Sequence, residues 1–551
     1  MAVAGAGPSG LATVKELLAE GHVPTCFERA SGVGGVFRFG ETDGVVWESC
    51  RLTSSGALTA FSDLPMSAER PDHPRASEYV DYLNLYCDEF NLRPHIRFGT
   101  TVESVKPMPG GGWMVRVRDS EGSREETFDA VALCSGLHQH PHIPNFPGQD
   151  TFEGEWIHGA QYRRPAQVAG KRVLIVGAGE SGADITAEVS ANAAETVLSL
   201  RRGVAVLSRT AFGKPRDLLT SRLLNSPAHW IFQTRNPADN RKRTIYRWAF
   251  LPFVFVDKAL QISFQFFWEY LPLLEGPDKT TVRSNLRTRE LSKQLLARSG
   301  GTVNEQFGTK TDEFVRALAD GKCRQAAGLA RFEGKRAIFE DGSEFTPDLV
   351  IFCTGFDTRA PFLDEQTVSA PRYLHTFNPE VGGDLGFIGF LRPAFGAIPP
   401  LAELQARWFA LVQSGRVTLP SKAEMIESIE RGTRFRRDFF RAVRGRLDHL
   451  VEFAPYCDEL AAQIGCKPTW RDVRRQGKRF EKHFVAAAFV AAQYRLVGPH
   501  AKPELAREVI ESLPIMHPWP DRWNLQLRWM LSRTLHRFLG PAYAPKLELE
   551  P

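Results

Sequence analysis

Two copies of one glycine pattern constrain the fold of this chain more than any other feature. GAGPSG at residues 5–10 and GAGESG at residues 177–182 each follow an apolar strand and open a segment with helical spacing. A lone GxGxxG is a weak signal, but between a strand and a helix it predicts a dinucleotide-binding unit. A plain tight turn is the alternative at each position. Two such units predict an α/β protein with two Rossmann-like domains.

Each glycine of the pattern has its own physical role. The first permits a tight turn, the second lets the backbone approach a pyrophosphate, and the third lets the helix pack closely on the strand. The predicted cofactor-binding residues are Gly5, Gly7 and Gly10 in the first copy, and Gly177, Gly179, Ser181 and Gly182 in the second. Free backbone N–H groups and the helix dipole favour a phosphate at each helix N-terminus.

The end of the next strand indicates which dinucleotide each unit binds. Glu28, followed by Arg29, ends the strand after the first pattern. A carboxylate there accepts hydrogen bonds from a ribose 2′-hydroxyl and repels a 2′-phosphate, which favours FAD or NAD. Arg201 and Arg202 end the strand after the second pattern, where guanidinium groups suit the 2′-phosphate of NADP. The alternative is that one or both arginines only face solvent.

A second glycine-rich segment favours FAD for the first unit. GVGGVFRF spans residues 32–39, and its glycine pair, which includes Gly35, lets a loop lie against a flat ring that Phe37 could cover. FAD in one unit and NADPH in the other imply hydride transfer from nicotinamide to flavin.

Composition excludes several other classes. The 551 residues carry a net charge of only +5, which does not indicate a nucleic-acid-binding protein. Eight cysteines form no CxxC pair, which argues against a disulfide reductase and favours a reducing compartment. No signal peptide opens the chain, and charges interrupt the apolar stretch 250–274, so we expect a cytoplasmic protein without a transmembrane segment. We interpret HQHPH at residues 138–142 as loop lining and expect no metal.

Residues 204–280 differ in character from the rest. They are apolar, aromatic and Arg-rich without a strand pattern, which predicts a mostly helical insertion. Its basic residues include Arg235, Arg241, Lys242, Arg243 and Arg247. If some of them face a pocket, a carboxylate-bearing amine such as an amino acid becomes an attractive substrate. The alternative is that they are surface charges.

A motif between the two glycine patterns resembles the flavin-containing monooxygenases. In FEGEWIHGAQY, Phe152, Gly154, His158 and Tyr162 fit the family pattern FxGxxxH followed four residues later by Tyr or Phe. Baeyer–Villiger monooxygenases carry a similar motif with Trp in the last position. FCTGF, which contains Gly355, is similar to the family's FATGY, and GAIPPLAELQARW, which contains Gln405, resembles another family segment. The resemblance adds Gly355 and Gln405 to the cofactor-binding residues.

The resemblance implies a fold and a reaction. It implies a discontinuous FAD domain at residues 1–150 and 336–551, the latter with C-terminal helices, and an inserted NADP domain at residues 151–335. It also implies that NADPH reduces FAD, that the reduced flavin forms a hydroperoxide with oxygen, and that a nitrogen or sulfur takes the distal oxygen. The side chains then mainly exclude water and orient cofactors.

One departure from the family lies in RLTSSGALTAFSDLP at residues 51–65. The family usually has an Asn there that helps to hold the nicotinamide and the peroxide. Thr53 or Ser54 takes its place and is our candidate catalytic residue. A hydroxyl can donate one hydrogen bond but lacks the two-sided pattern of an amide. We therefore expect some loss of oxygenation efficiency and no change of fold.

The leading functional hypothesis is NADPH-dependent N-oxygenation of an amine. The alternatives are S-oxygenation of a sulfide, Baeyer–Villiger oxidation of a ketone, uncoupled NADPH oxidation that releases peroxide, and a flavin-binding sensor without activity. The expected partners are a small-molecule substrate and molecular oxygen, and a homodimer is possible.

Overall fold

The computed structural model describes most of the chain. The described residues are 1–40, 44–66, 72–211, 213–222, 279–300, 308–358, 360–364, 367, 370–439 and 449–516. The apolar stretch 250–274 and the basic residues between 235 and 247 lie outside these ranges. Within them, no helix combines the length and the hydropathy that crossing a membrane requires.

The chain alternates strands and helices. The strands are β1 (Ala2–Ala4), β2 (Thr25–Phe27), β3 (Ile96–Arg97), β4 (Thr101–Pro107), β5 (Trp113–Asp119), β6 (Gly122–Phe128), β7 (Val131–Leu133), β8 (His140–Pro141), β9 (Glu155–His158), β10 (Arg172–Val176), β11 (Glu195–Ser199), β12 (Thr210–Ala211), β13 (Lys214–Pro215), β14 (Arg324–Ala326), β15 (Leu329–Glu333), β16 (Arg336–Phe339), β17 (Glu344–Phe345), β18 (Leu349–Phe352), β19 (Phe356–Asp357), β20 (Leu385–Phe387), β21 (Arg392–Pro393) and β22 (Leu450–Val451). The helices are α1 (Pro8–Ala19), α2 (Gly56–Thr59), α3 (Ala76–Glu89), α4 (Glu180–Asn192), α5 (Lys279–Ser299), α6 (Glu313–Ala319), α7 (Ile398–Gln413), α8 (Lys422–Phe439), α9 (Phe453–Ile464), α10 (Trp470–Arg475), α11 (Lys478–Ala486) and α12 (Pro503–Ser512).

A parallel sheet with the strand order β20-β7-β1-β2-β3 forms the first unit. Alternate residues of its strands face opposite layers. Val3 and Ala132 pack with the helices α1, α3 and α7, whereas Ala4 and Leu133 pack with the antiparallel sheet β4-β5-β6. Both faces are therefore covered, as parallel sheets require.

A second parallel sheet, with the strand order β14-β11-β10-β18-β9, forms the second unit. Ile175 on one face packs with α4 and α6, and Leu174 on the other packs with the hairpin layer β15-β16-β17. The α/β fold with two dinucleotide-binding units is therefore confirmed.

The strand β18 corrects a predicted domain boundary. It pairs in parallel with β10 on one side and with β9 on the other. The second unit therefore extends at least to Phe352, whereas the sequence analysis ended it at residue 335. A short apolar strand carries no signal for which of two buried sheets it joins. The strand β20 then returns to the first sheet beside β7, which confirms that the first unit is discontinuous.

The described beginning of the predicted helical insertion contains no α-helix. Residues 204–222 contain the two-residue strands β12 and β13, followed by a 3₁₀ turn at Arg216–Leu219. Near the predicted end of the insertion, α5 begins at Lys279. The segment between them lies outside the described residues.

Candidate functional site

The first glycine turn leaves no room for side chains at two of its positions. Gly5 has a φ of +104°, and a Cβ on it would lie 2.9 Å from the Cys134 carbonyl oxygen. A Cβ on Gly10 would lie 1.8 Å from the carbonyl oxygen of Gly5. Gly7 caps α1 without a side-chain hydrogen bond, so the first N–H groups of this helix are available to a phosphate.

Glu28 lies at the end of β2, buried against this turn. Its Oε2 accepts a hydrogen bond from the Ala6 amide at 2.7 Å, and its Oε1 accepts one from the Ala30 amide at 2.9 Å. The carboxylate therefore braces the glycine turn, and each oxygen retains a lone pair for a ribose hydroxyl. Arg29 beside it is exposed.

The second glycine-rich segment lies directly against the first turn. Gly35 has a φ of +54°, and a Cβ on it would lie 2.9 Å from the Cα of Gly7. The ring of Phe37 packs edge-on against Tyr79, with centroids 4.8 Å apart. The structure thus brings Gly35 to the predicted pyrophosphate position. The covering of a flat ring by Phe37 stays a prediction.

The second glycine turn repeats the geometry of the first. Gly177 has a φ of +98° and lies against the Cys353 carbonyl, and a Cβ on Gly182 would fall 2.3 Å from the Gly177 carbonyl oxygen. A Cβ on Gly179 would meet no atom within 4 Å, so that side of the turn is open. Gly179 caps α4 without a side-chain hydrogen bond, and Ser181 in the first turn of α4 is exposed. An uncapped helix beside open space fits a bound pyrophosphate.

Arg201 and Arg202 lie just beyond the carboxyl end of β11, and both are exposed. Neither forms an ion pair with another residue in the described ranges. Two exposed guanidinium groups at this end of the sheet fit the 2′-phosphate of NADP.

Hydrogen bonds within the second unit hold the linker motif in place. His158 donates from Nε2 to the Gly355 carbonyl at 3.0 Å and accepts at Nδ1 from the Ala160 amide at 3.1 Å. Burial lowers the pKa of His158, so the neutral imidazole is favoured. The hydroxyl of Tyr162 donates to Glu188 of α4 at 2.8 Å. His158 therefore orients the linker.

Gln405 lies in α7, and its side-chain amide forms hydrogen bonds with other residues of the protein. Its Oε1 accepts from the Gly389 amide at 2.8 Å, and its Nε2 donates to Thr376 Oγ1 and to the hydroxyl of Tyr456, both at 2.9 Å. A Cβ on Gly389 would fall 2.3 Å from the Ser9 Oγ at the start of α1. Gln405 thus positions the loop beside the first glycine turn, and its contact with a cofactor stays a prediction.

The candidate catalytic hydroxyls lie in the segment that approaches the second unit. Ser54 is buried, and its Oγ lies 2.7 Å from the Thr59 Oγ1. Thr53 is half-buried, and its hydroxyl has no hydrogen bond within the described part of the chain. The Ser55 amide donates to the Asp217 Oδ2 at 2.6 Å, which ties this segment to the second unit. Burial raises the pKa of the Asp217 carboxyl, whose Oδ1 has no partner within the described ranges.

An ion pair that the sequence analysis missed also joins the units. Glu180, the first residue of α4, lies 3.0 Å from the Lys310 Nζ and 2.9 Å from the Arg392 Nη2. Arg392 begins β21, shortly after the first sheet's β20. Only Glu180 carried a signal in the sequence, as a charged residue inside a glycine pattern that is predicted to bind a pyrophosphate. Asp217 and Arg392 carried none.

These features define a flavoprotein with two parallel sheets, each of which leads into a glycine turn of the dinucleotide-binding type. The sequence profile of the flavin-binding monooxygenase-like proteins matches residues 1–236 and 292–514, and this chain belongs to that family. It is accordingly an FAD-dependent oxidoreductase whose cofactors are FAD and NADPH.

Several curated proteins are similar to the chain over nearly its full length. A 4-hydroxybenzoate brominase (decarboxylating) of Pseudoalteromonas luteoviolacea is 34% identical over 98% of this chain and 97% of its own. The same enzyme of Marinomonas mediterranea is 33% identical over 94% of each chain. Flavin-containing monooxygenase 2 of Homo sapiens is 33% identical over 91% of this chain and 89% of its own.

Solved structures share the fold. The S-allyl-L-cysteine S-oxygenase of Allium sativum has a TM-score of 0.58 at 22% identity and covers 97% of this chain and 98% of its own. The cyclohexanone monooxygenase of Rhodococcus sp. Phi1, bound to NADP+, has a TM-score of 0.57 at 18% identity, covering 84% of this chain and 97% of its own. At these identities the likeness concerns the fold alone.

Proposed function

We propose that this protein uses NADPH and molecular oxygen to oxygenate a soft nucleophile, most readily an amine nitrogen or a thioether sulfur. In the balanced reaction, NADPH, a proton, oxygen and substrate give NADP+, water and a product with one added oxygen atom. Bound FAD, once reduced, supplies the chemistry that activates oxygen. We further propose that the protein acts in a reducing compartment, in accord with its eight free cysteines.

The observation that carries the proposal is that one segment, residues 389–392, contacts the helix start after each glycine turn. Ser9 at the start of α1 lies against Gly389, and Arg392, three residues further along, reaches Glu180 at the start of α4. Both turns bind dinucleotides at the carboxyl ends of their sheets. The crevice between them is where a nicotinamide can meet a flavin.

In this proposal, the protein's own residues bind and orient the two cofactors. The uncapped starts of α1 and α4 hold the two pyrophosphates, Glu28 orients the FAD ribose, and Arg201 with Arg202 selects NADPH over NADH. Thr53 is the better candidate to donate a hydrogen bond in the crevice, because its hydroxyl has no hydrogen bond to any described residue whereas the Ser54 hydroxyl already pairs with Thr59.

Oxygen uptake by the FAD-loaded protein with NADPH tests this function. Amines, amino acids, sulfides and ketones are supplied in turn, and hydrogen peroxide is measured alongside. We expect an amine or sulfide to raise the oxygenated product and to lower the peroxide released per NADPH. Product from ketones only would replace the proposal with Baeyer–Villiger oxidation. Peroxide release that no substrate lowers would indicate an NADPH oxidase.

A second candidate follows from the similarity to the brominases, which extends over 98% of this chain at 34% identity. We propose 4-hydroxybenzoate with bromide as the alternative substrate pair. Bromide, like an amine or a thioether, is a soft nucleophile that can accept an oxygen atom. Mass spectrometry of a reaction with 4-hydroxybenzoate, NADPH and bromide tests it. A brominated phenol that has lost carbon dioxide supports this candidate, and unchanged 4-hydroxybenzoate excludes it.

A further inference from the structure

Glu180 occupies an unusual place for a carboxylate. It is the first residue of α4, immediately after the uncapped Gly179, and its side chain is 17% exposed. The N-terminus of a helix favours a negative charge, and in a dinucleotide-binding unit the pyrophosphate supplies it. Here the protein has placed its own anion beside the position that the cofactor's anion must take.

Two cations hold this carboxylate. Lys310 lies 3.0 Å from one oxygen, and Arg392 lies 2.9 Å from the other. Thr309, next to Lys310, donates to the Ala178 carbonyl within the glycine turn at 3.1 Å, so this part of the chain is anchored to the turn. Burial alone would raise the pKa of Glu180, but Lys310 and Arg392 lower it to about 2. The carboxylate is therefore ionised at neutral pH.

The two cations come from different units. Lys310 precedes α6 of the second unit, whereas Arg392 begins β21, five residues after β20 of the first sheet. Both side chains are partly buried, 13% exposed for Lys310 and 30% for Arg392. Each side chain therefore keeps some exposed surface beside Glu180 from which a phosphate could be contacted.

We propose that Glu180 is a placeholder for the dinucleotide pyrophosphate: it holds Lys310 and Arg392 in the free second site and yields them when NADP binds. The Glu180 carboxylate then weakens NADP binding for two reasons. The pyrophosphate must compete with it for the two cations, and the two negative charges repel each other. Arg392, released from Glu180, joins the bound dinucleotide to the first unit. This role rests on the NADP site and is independent of which substrate is oxygenated.

Titration calorimetry of the FAD-loaded protein with NADP+ and with NAD+ tests the placeholder. We expect Glu180→Gln to tighten the binding of both dinucleotides by a similar factor of about ten, since the pyrophosphate is common to both and a charged hydrogen bond is worth roughly that much. Glu155→Gln is the matched control. It weakens a 2.7 Å pair with Lys171, more exposed than that of Glu180, at the opposite end of the same sheet, and should leave both affinities unchanged.

Arg392→Gln in the Glu180→Gln background should weaken both affinities about tenfold, because the released arginine is lost. The proposal would be overturned if Glu180→Gln, at normal FAD content, bound the dinucleotides no more tightly than the parent. It would also be overturned if Arg392→Gln had no effect on binding in the Glu180→Gln background.

If Glu180→Gln does not retain FAD, Lys310→Met in the parent replaces it. Tenfold weaker binding of both dinucleotides by Lys310→Met supports the placeholder, and unchanged binding refutes it. None of these titrations requires catalytic turnover. They therefore test the role of Glu180 even if the proposed oxygenation reaction is not observed.

Discussion

The carboxylate of Glu16 in α1 lies 2.6 Å from the guanidinium of Arg495, and both side chains are fully buried. Arg495 also lies 2.7 Å from Glu403 of α7, and Lys15 contacts both Glu16 and Asp63. Burial alone would raise the pKa of Glu16, but Arg495 and Lys15 hold it well below its usual value. The spacing of the carboxylates of Glu16, Asp63 and Glu403 would suit a metal, yet three cations, Lys15, Arg495 and Lys502, already lie within ion-pair distance of them. This network ties the helix of the first glycine turn to α7 and to the C-terminal part of the chain.

Arg495→Met should lower the free energy of unfolding by about 3–5 kcal/mol, because it leaves buried carboxylates without their partner. Urea unfolding of the FAD-loaded protein measures this loss. Arg93→Met is the control, since it removes an exposed pair with Asp88 and should cost less than about 1 kcal/mol. Equal small losses for both variants would show that the network adds little to stability.

Gly179→Ala should separate cofactor binding from folding. A Cβ at this position meets no protein atom within 4 Å, so stability and FAD content should stay as in the parent. The methyl group would occupy the space that the pyrophosphate needs, and the affinity for NADP+ should fall. Gly182→Ala should instead destabilise the fold, because its Cβ falls 2.3 Å from the Gly177 carbonyl oxygen. Normal NADP+ binding by Gly179→Ala would contradict the assigned pyrophosphate position.

Replacing Arg201 or Arg202 with Gln should raise the KM for NADPH about tenfold or more. A charge-assisted hydrogen bond to phosphate contributes about 1.5–3 kcal/mol. The KM for NADH should change little, because NADH has no 2′-phosphate. Steady-state kinetics with both cofactors checks this, and an equal loss for both would mean that the arginines support the fold.

Thr53→Ala should release more hydrogen peroxide per NADPH than the parent does, while NADPH reduces the flavin at a similar rate. Oxygen transfer depends on hydrogen bonding and exclusion of water in the crevice, whereas hydride transfer depends on the stacking of the two rings. Ser54→Ala should have a smaller effect, because the Ser54 hydroxyl is already paired with Thr59. Peroxide assays and stopped-flow reduction measure the two steps. If Ser54→Ala released more peroxide per NADPH than Thr53→Ala, the hydrogen-bonding role would belong to Ser54.

Stability should fall as the pH drops from about 6.5 to 4. Burial, followed by the charge of Arg209, lowers the pKa of His73 to about 4. In this window the unfolded chain binds a proton that the folded chain does not, so acid favours unfolding. The melting temperature of His73→Gln should therefore decline less between pH 7 and pH 5 than that of the parent. Between pH 7 and pH 8, outside the window, the two proteins should show the same slope.

The assignments that the sequence supported best depend on local geometry. Gly5, Gly10, Gly177 and Gly182 could be recognised because a tight turn between a strand and a helix excludes a Cβ from nearby backbone. The family motif likewise drew attention to His158 and Tyr162, whose side chains hydrogen-bond to Gly355 and to Glu188 of α4. Gln405 was identified only as part of a matching segment, and the structure shows its amide hydrogen-bonded to Gly389, Thr376 and Tyr456.

The sequence by itself determined that the chain has two dinucleotide units, which nucleotides they take and to which family it belongs. Those properties follow from side chains and turns within a few tens of residues. Only the tertiary structure decided that β18 belongs to the second sheet, that Arg392 pairs with Glu180 across 212 positions, and that Arg495 joins Glu16 across 479. An apolar strand or a charged residue could pair with many other segments of the sequence. The packing of the whole chain determines which partner it has.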